Sequence, residues 1–479
     1  MEEKVIEEKT DVSRRAFLGM SALGVLSLAA CGGSPTAAPQ VDVQVPKTLL
    51  DQAAALRGGS VGMLSQKLYS DAANKALDKS LQVFAQATGT TIHNDLVSGD
   101  AGDMVAKMDA EVKAGTNRDL AFMSDRRFVG QLHNLGALTD VTDVVMEMKA
   151  LYGEPATEAN NYCVFDGRWF AIPYHFIATG MYLRKDWYQE KGLPLKPYYS
   201  WEELRDNALA VSDPAKRRFG WGLTVNRSGD ANGFIQNVID TYGGAIADNT
   251  GTKVTFNSPE TVEAVAFIGD IYTNPKYAPM LPPGVGSWTD SSNNENWLAQ
   301  ILGLTLNQFS VYADSKTKKN PVYANTHVFN GASGPALDRP LAFGESNSFV
   351  VFKGAKNPDL AKLVAKFMVS GSALLGVAKE APCLVNPSWD KVWDSDPYYT
   401  TGDPAFPALR EQTRAVLPVK TTTGFAFPQA PSPGEQAAIA AYLLTDMMQS
   451  VIQGTKPADA VASTHARIVQ IFEQQGYKQ

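Results

Sequence analysis

Five histidines are the first residues to test for chemistry, and they are scattered: His93, His133, His175, His327 and His465. No H-x-x-x-H pair sets two imidazoles on one helical face for zinc, no G-x-S-x-G turn lifts a serine into a nucleophile, and no Walker loop offers its amides to a triphosphate. Cysteine occurs three times, at positions 31, 163 and 383, which excludes a cysteine-rich zinc module and a disulfide scaffold. Carboxylates are plentiful, but the pair of an exported glycosidase would be defined by separation in space, and no stretch resembles one. No motif points to a reaction or a cofactor, and an exported glycosidase stays as the less favoured alternative. The remaining polar residues are groups for binding.

Elements to position them are plain. The chain of 479 residues is long enough for about three folding units or two large lobes. With 44% hydrophobic and 19% charged residues it folds around a core. Its net charge of −7 and lack of a basic block exclude nucleic acid as a main partner. Residues 60–64 form a short apolar run, and Ser70-Asp71 opens a helix with Leu77, Leu81, Phe84 and Ala85 on one face. A strand over 90–97, a helix carrying Met104, Val105, Met108 and Val112, and a strand over 120–123 follow. Strand, helix, strand, helix, strand predicts a parallel α/β sheet. Helix starts recur at Ser200 with Glu203, at Ser258-Pro259 and at Asn357-Pro358, and two helical patterns cover 439–452 and 461–472.

The one long apolar run lies at the amino end. Arg14-Arg15 precede residues 16–30, too short to span a bilayer that needs about 20 residues, and the run ends Leu28-Ala29-Ala30-Cys31. The string from Ser13 to Leu18 resembles a twin-arginine export signal and the Leu-Ala-Ala-Cys a bacterial lipobox, so residues 1–30 read as a removable leader and Cys31 as the lipidated first residue. Residues 31–54 then form the lipidated cysteine and a tether. This places the protein outside the cell, anchored at the outer face of the membrane or in a periplasm. Cys163 and Cys383 either pair or remain two buried free thiols.

Residues 170–204, FAIPYHFIATGMYLRKDWYQEKGLPLKPYYSWEEL, resemble the extracellular solute-binding proteins of ABC importers, family 1, the maltose-binding-protein-like group. Arg118-Asp119-Leu120-Ala121-Phe122, Tyr242-Gly243-Gly244, the run VTFNSPE from Val254, GLTLN from Gly303 and SFVVFKGAKNPDL from Ser348 agree in order, so the resemblance covers roughly residues 55–475. It implies an α/β fold of two interwoven lobes with a hinge, periplasmic-binding-protein-like of class II, with lobe one at 55–173 plus 349–395 and lobe two at 176–346 plus 397–475. The crossings would lie near Pro173-Tyr174-His175, Glu345-Ser346-Asn347 and Asp396. It further implies a monomer that captures a small solute, most simply a sugar, oligosaccharide or sugar derivative, and delivers it to membrane permease subunits. A polyol, glycerol phosphate or peptide, or presentation of the ligand to a sensor, is the alternative.

Sugar binding uses planar polar groups that take hydroxyls in pairs and aromatic faces that cover the C–H side of a pyranose. In α/β lobes these stand at the carboxyl ends of parallel strands. Ser65 and Gln66 follow the first strand, Ser98 the second, and Asp125, Arg126 and Arg127 the third. Met123 takes the family's aromatic position, Arg126 stands where the family carries a carboxylate, and Arg127 matches its arginine, which argues against an ordinary maltodextrin; the bland alternative is Asp125 as a helix cap. Tyr174 and His175 fall at the first crossing, where a structural histidine is the competing reading, and Glu345, Ser346 and Asn347 at the second. Asn226, Arg227 and Asp230 form a polar run between the apolar stretch 221–225 and a helix beginning near Gly233. Trp288 is a candidate stacking platform, whereas Trp297 has core spacing. Gln308 and Tyr312 follow GLTLN, with Tyr312 matching a family aromatic, and Phe425 lies where the family has a ligand-facing loop.

Overall fold

Local capping signals set several of the helix starts. The computed structural model describes residues 41–98, 101–123, 127–248, 250–338, 340–341, 343–414 and 432–479. The leader, Cys31, Asp125, Arg126 and Phe425 lie outside the described residues, as does the side chain of Arg127. The Ser70 hydroxyl accepts from the Ala73 amide at 3.2 Å and opens the helix Asp71–Thr88, which Gly89 ends at φ 67°. Ser258 and Asn357 stand before Pro259–Thr273 and Pro358–Met368, each with proline in its first turn. Ser200 accepts from the Glu203 amide, but the Glu203 carboxylate pairs with Lys196 instead of returning to the cap, so that capping box is half formed.

Eight strands build one sheet among the described residues. They are β1 (Ser60–Gln66), β2 (Thr91–Val97), β3 (Leu120–Met123), β4 (Ile172–Arg184), β5 (Leu304–Asn307), β6 (Thr326–Phe329), β7 (Phe343–Val351) and β8 (Asn386–Pro387). The order is β8-β4-β7-β3-β1-β2, and β5 and β6 both pair with the far half of β4. β1 runs parallel to β2 and β3, as the strand and helix alternation predicts. Phe84 packs on Phe367 with ring centroids 5.1 Å apart, joining the helix Asp71–Thr88 to Pro358–Met368 across 280 residues of chain order. Burying one such ring is worth about 1.5–3 kcal/mol.

Residues 172–184 run on as one strand. Gly180 does not break it, because the Phe309 ring lies where a Cβ would be, 2.9 Å from Cε2. β4 therefore contributes to two apolar cores. Ile172, Phe176, Ile177 and Tyr182 pack in a core with Leu64, Phe122 and Phe349, whereas Met181 and Leu183 pack in a second with Trp201, Trp221, Phe234 and Phe329. The first core also takes in Trp288, Trp297, Phe309 and Tyr312. Two further helix ends shift from expectation. The helix expected near Gly233 begins at Gly229, because Ser228 caps it at 3.1 Å from the Ala231 amide. The pattern over 439–452 is cut into Pro433–Ala440 and Leu443–Ile452 by Tyr442, whose φ is 57°.

β7 lies between β3 and β4 and is antiparallel to both. Asn347 faces His175 but Ser348 faces Pro173, so Tyr174 is the extra residue of a bulge. Proline has no N–H to give the ladder, and a bulge is where a central strand tolerates it. The Pro173 carbonyl accepts from the Trp389 indole at 2.7 Å. Beside it the Tyr174 hydroxyl and both His175 ring nitrogens are fully buried and make no hydrogen bond. The imidazole packs against Phe122 and Tyr174, and burial pushes its pKa down to about 3.

Two outcomes are expected. A Cβ on Gly344 would lie 1.9 Å from Cζ of Phe176, so Gly344→Ala should lower the unfolding free energy by about 1–3 kcal/mol in urea titrations. Between about pH 6.5 and pH 3 the unfolded imidazole of His175 binds a proton that the folded one refuses, so stability falls with acid, by up to about 1.4 kcal/mol per pH unit. His175→Phe should flatten that part of the slope; identical slopes in the two proteins would mean that His175 titrates in place.

Candidate functional site

The strand directions bring the loops of both cores to one place. Parallel pairing sets Gln66 opposite Val97 and Ser65 opposite Phe122, so the chain leaves β1, β2 and β3 at one edge of the sheet. Ser348 of β7 lies opposite Met123, which puts the β4–β7 crossing just beyond that edge. From the other side β5 is antiparallel to β4 with Asn307 opposite Gly180, so its carboxyl end also points to the crossing. There Gln308 Nε2 donates to Glu345 Oε1 at 3.2 Å. The stretch 221–225 runs beside β5, the Gly222 amide donating to the Leu304 carbonyl at 2.8 Å, and delivers Asn226 to the same end. This junction of carboxyl-end loops and crossing strands is the candidate site.

Gln66, Ser98, Asn226, Asp230, Gln308 and Glu345 reach it with exposed or half-buried side chains. Asn226 donates to the Ser287 and Trp288 carbonyls at 3.1 and 3.2 Å and so braces its own loop. Asp230 accepts from Asn293 at 2.7 Å. Burial and the nearby Asp290 carboxylate raise its pKa to about 8, so at neutral pH it offers both a donor and an acceptor. The exposed Arg227 turns away, donating to the Ala441 carbonyl at 3.3 Å beside Asp446 and the Tyr442 ring.

The other expected residues that are described are interior. Ser65 is buried and donates to Asn94 at 2.7 Å. Ser346 is held by Glu158, which accepts its amide at 2.8 Å, and by Ser388, whose hydroxyl lies 2.8 Å away; Asn347 is buried in the strand pair. Trp288 is buried at 8% exposure and presents little ring face for stacking. Tyr312 is buried as well, its hydroxyl donating to Asp403 at 2.9 Å. Tyr323 donates to the other oxygen of Asp403 at 2.9 Å and Lys316 pairs with it. Burial raises the Asp403 carboxyl, yet the Lys316 hydrogen bond and these donors hold it below the ordinary range. Tyr312 thus anchors the helix Ser310–Thr317 to the segment around Asp403.

His175 is neutral and has no partner to exchange a proton with, and burial pushes the Cys163 thiol up to about 12. Both Cys163 and Cys383 are free and buried. What sequence reasoning missed is Gln436. A Cβ on Gly130, in the helix Arg127–Asn134 after β3, would lie 3.0 Å from Gln436 Nε2, so Pro433–Ala440 faces the first core across the junction. The signal was present as Ser432-Pro433-Gly434-Glu435, a full capping box that fixes where that helix begins.

Known proteins share this fold. Curated relatives in Brucella abortus and Brucella suis, named as binding proteins, are 22% identical over 286 residues, which is 59% of this chain and 66% of theirs, just under two thirds of their length. A T. maritima MalE3 structure with maltose superposes at TM-score 0.71 with 18% identity, covering 86% of this chain and 100% of that one. A solute-binding protein of Agrobacterium radiobacter in complex with ribitol gives 0.71 and 20%, over 87% and 99% of the two chains. One from Thermotoga lettingae bound with α-D-tagatose gives 0.70 and 16%, over 87% and 100%. These likenesses establish a periplasmic-binding-protein-like α/β fold. The profile of bacterial extracellular solute-binding proteins matches residues 69–372. The chain belongs to the bacterial extracellular solute-binding protein family.

Proposed function

We propose that the chain is the substrate-binding lipoprotein of an ABC importer, which takes a sugar or polyol between two lobes and hands it to a membrane permease. The observation that carries this reading is the junction itself: carboxyl-end loops from both cores meet at the paired crossing strands, where Gln308, just after β5, bonds Glu345 of β7. Similar structures hold maltose, ribitol and α-D-tagatose, which supports a polyhydroxylated solute. In this reading the lobes follow 55–173 plus 349–395 and 176–346 plus 397–475, with β4 and β7 as the hinge. Cys31 carries the lipid anchor outside the cell, and the body acts as a monomer without a cofactor. A ligand closes the lobes only through contacts stronger in the closed state, which groups from both sides of the junction provide. Gln66, Ser98 and the Asp125-Arg126-Arg127 loop would meet it from one lobe, and Asn226, Asp230, Gln308 and Phe425 from the other.

A thermal-shift panel on the chain lacking residues 1–30 tests this with neutral sugars, polyols, uronic acids, glycerol phosphates, amino acids and peptides. A sugar or polyol at about 100 Kd should stabilise by about 2.7 kcal/mol. A shift with peptides alone would overturn the assignment. With the ligand in hand, Arg127→Ala should weaken binding about 10- to 100-fold while leaving ligand-free stability unchanged; unaltered affinity would remove Arg127 from the site. In cells, Cys31→Ala should move the protein from the membrane to the soluble fraction.

A further inference from the structure

Just past the carboxyl end of β1 stands Tyr69, with 54% of its surface exposed. The turn that carries it is pinned on both flanks. The Lys67 amide donates to the Val97 carbonyl at 2.8 Å, which ties the turn to the end of β2. Asn74, itself buried, spends both ends of its carboxamide on Leu68: Oδ1 accepts from the Leu68 amide and Nδ2 donates to the Leu68 carbonyl, each at 2.9 Å. The Leu68 side chain is buried in the first core. On the other flank Ser70 caps the helix Asp71–Thr88, and its hydroxyl donates to the Glu380 carbonyl at 2.9 Å. Tyr69 is therefore a solvated ring on a fixed backbone.

Its place in the fold is the junction. Gln66 ends β1, and Val97, to which Lys67 is bonded, precedes Ser98, so the ring stands beside the two first-core loops that reach the candidate site. Among the described residues one other aromatic side chain is as open to solvent, Tyr198. It lies at the far end of β4, where the Lys196 carbonyl is 2.8 Å from His327 Nε2 and His327 pairs with Leu183. Trp288 and Tyr312 bury their rings in the first core. The described part of the junction thus has amides and acids for hydroxyl groups and one ring, that of Tyr69, free to cover an apolar face.

We propose that Tyr69 is the stacking platform of the site, its ring lying on the C–H face of a cyclic sugar while Gln66 and Ser98 take the hydroxyls. This rests on the sugar reading and narrows it, because a closed pyranose or furanose presents a preformed apolar face that an open-chain polyol must order first. The pinned turn keeps the platform in place before the solute arrives, and tyrosine has only two side-chain torsions to fix.

Calorimetric titration of the purified chain with maltose, methyl α-D-glucopyranoside and D-tagatose as cyclic sugars, and with ribitol and D-mannitol as open chains, tests this. A cyclic sugar should bind more tightly than either open chain. For that sugar Tyr69→Ala should weaken binding by about 3- to 10-fold, with the Tm of the free protein unchanged, and Tyr69→Phe should recover most of the loss, since the ring face makes the contact. Proton NMR adds a signature that a merely structural tyrosine would not give. The ring current should move the C–H protons of the bound sugar upfield in the native chain and in Tyr69→Phe, and less so in Tyr69→Ala. Equal affinity of the native and Tyr69→Ala chains for a cyclic sugar would overturn the platform and leave the sugar reading standing. Tighter binding of ribitol or D-mannitol than of every cyclic sugar would overturn the narrowing to closed rings. Failure of all five, in a chain that binds a peptide, would overturn the sugar reading and the platform with it.

Discussion

β4 and β7 hydrogen-bond to each other from Phe343 opposite Thr179 to Phe349 opposite Ile172, while β4 packs its first residues in one apolar core and Met181 and Leu183 in another. The two cores are thereby joined by a pair of strands rather than by a loose linker. Any movement of one against the other must twist this pair or act at its bulge, where Tyr174 stands out of register. The loops that form the candidate site are placed by the same pair, since β3 and β5 are aligned on β7 and β4 respectively.

The interior of the crossing is polar in a way that ordinary cores avoid. Tyr174 and His175 bury a hydroxyl and an imidazole without partners, while Ser346 is fully tied to Glu158 and Ser388. Each unpaired group raises the free energy of this state by about 1–3 kcal/mol. Away from the crossing, Asp403 with Tyr312, Tyr323 and Lys316 is satisfied on both oxygens and acts as a rigid tie.

Local features were readable from the residues. Ser70, Ser258 with Pro259, and Asn357 with Pro358 mark helix starts because their chemistry acts within one turn, and the parallel β1, β2 and β3 follow from alternation alone. The pairing of β4 with β7 joins segments some 170 residues apart, and no period or cap announces it. Gln66, Ser98, Asn226, Gln308 and Glu345 stand at the junction because strand ends were legible. Trp288 and Tyr312 show the limit: an aromatic at the right place in the chain does not say whether its ring faces a ligand or a core, and both rings are buried.

The central proposal is that a solute held at the junction draws the two lobes together about the β4–β7 pair. Small-angle X-ray scattering of the purified chain, without and with a saturating solute whose binding has been established by calorimetry, measures this directly. The account predicts a smaller radius of gyration with solute bound. Identical scattering profiles for the free and saturated protein would contradict it.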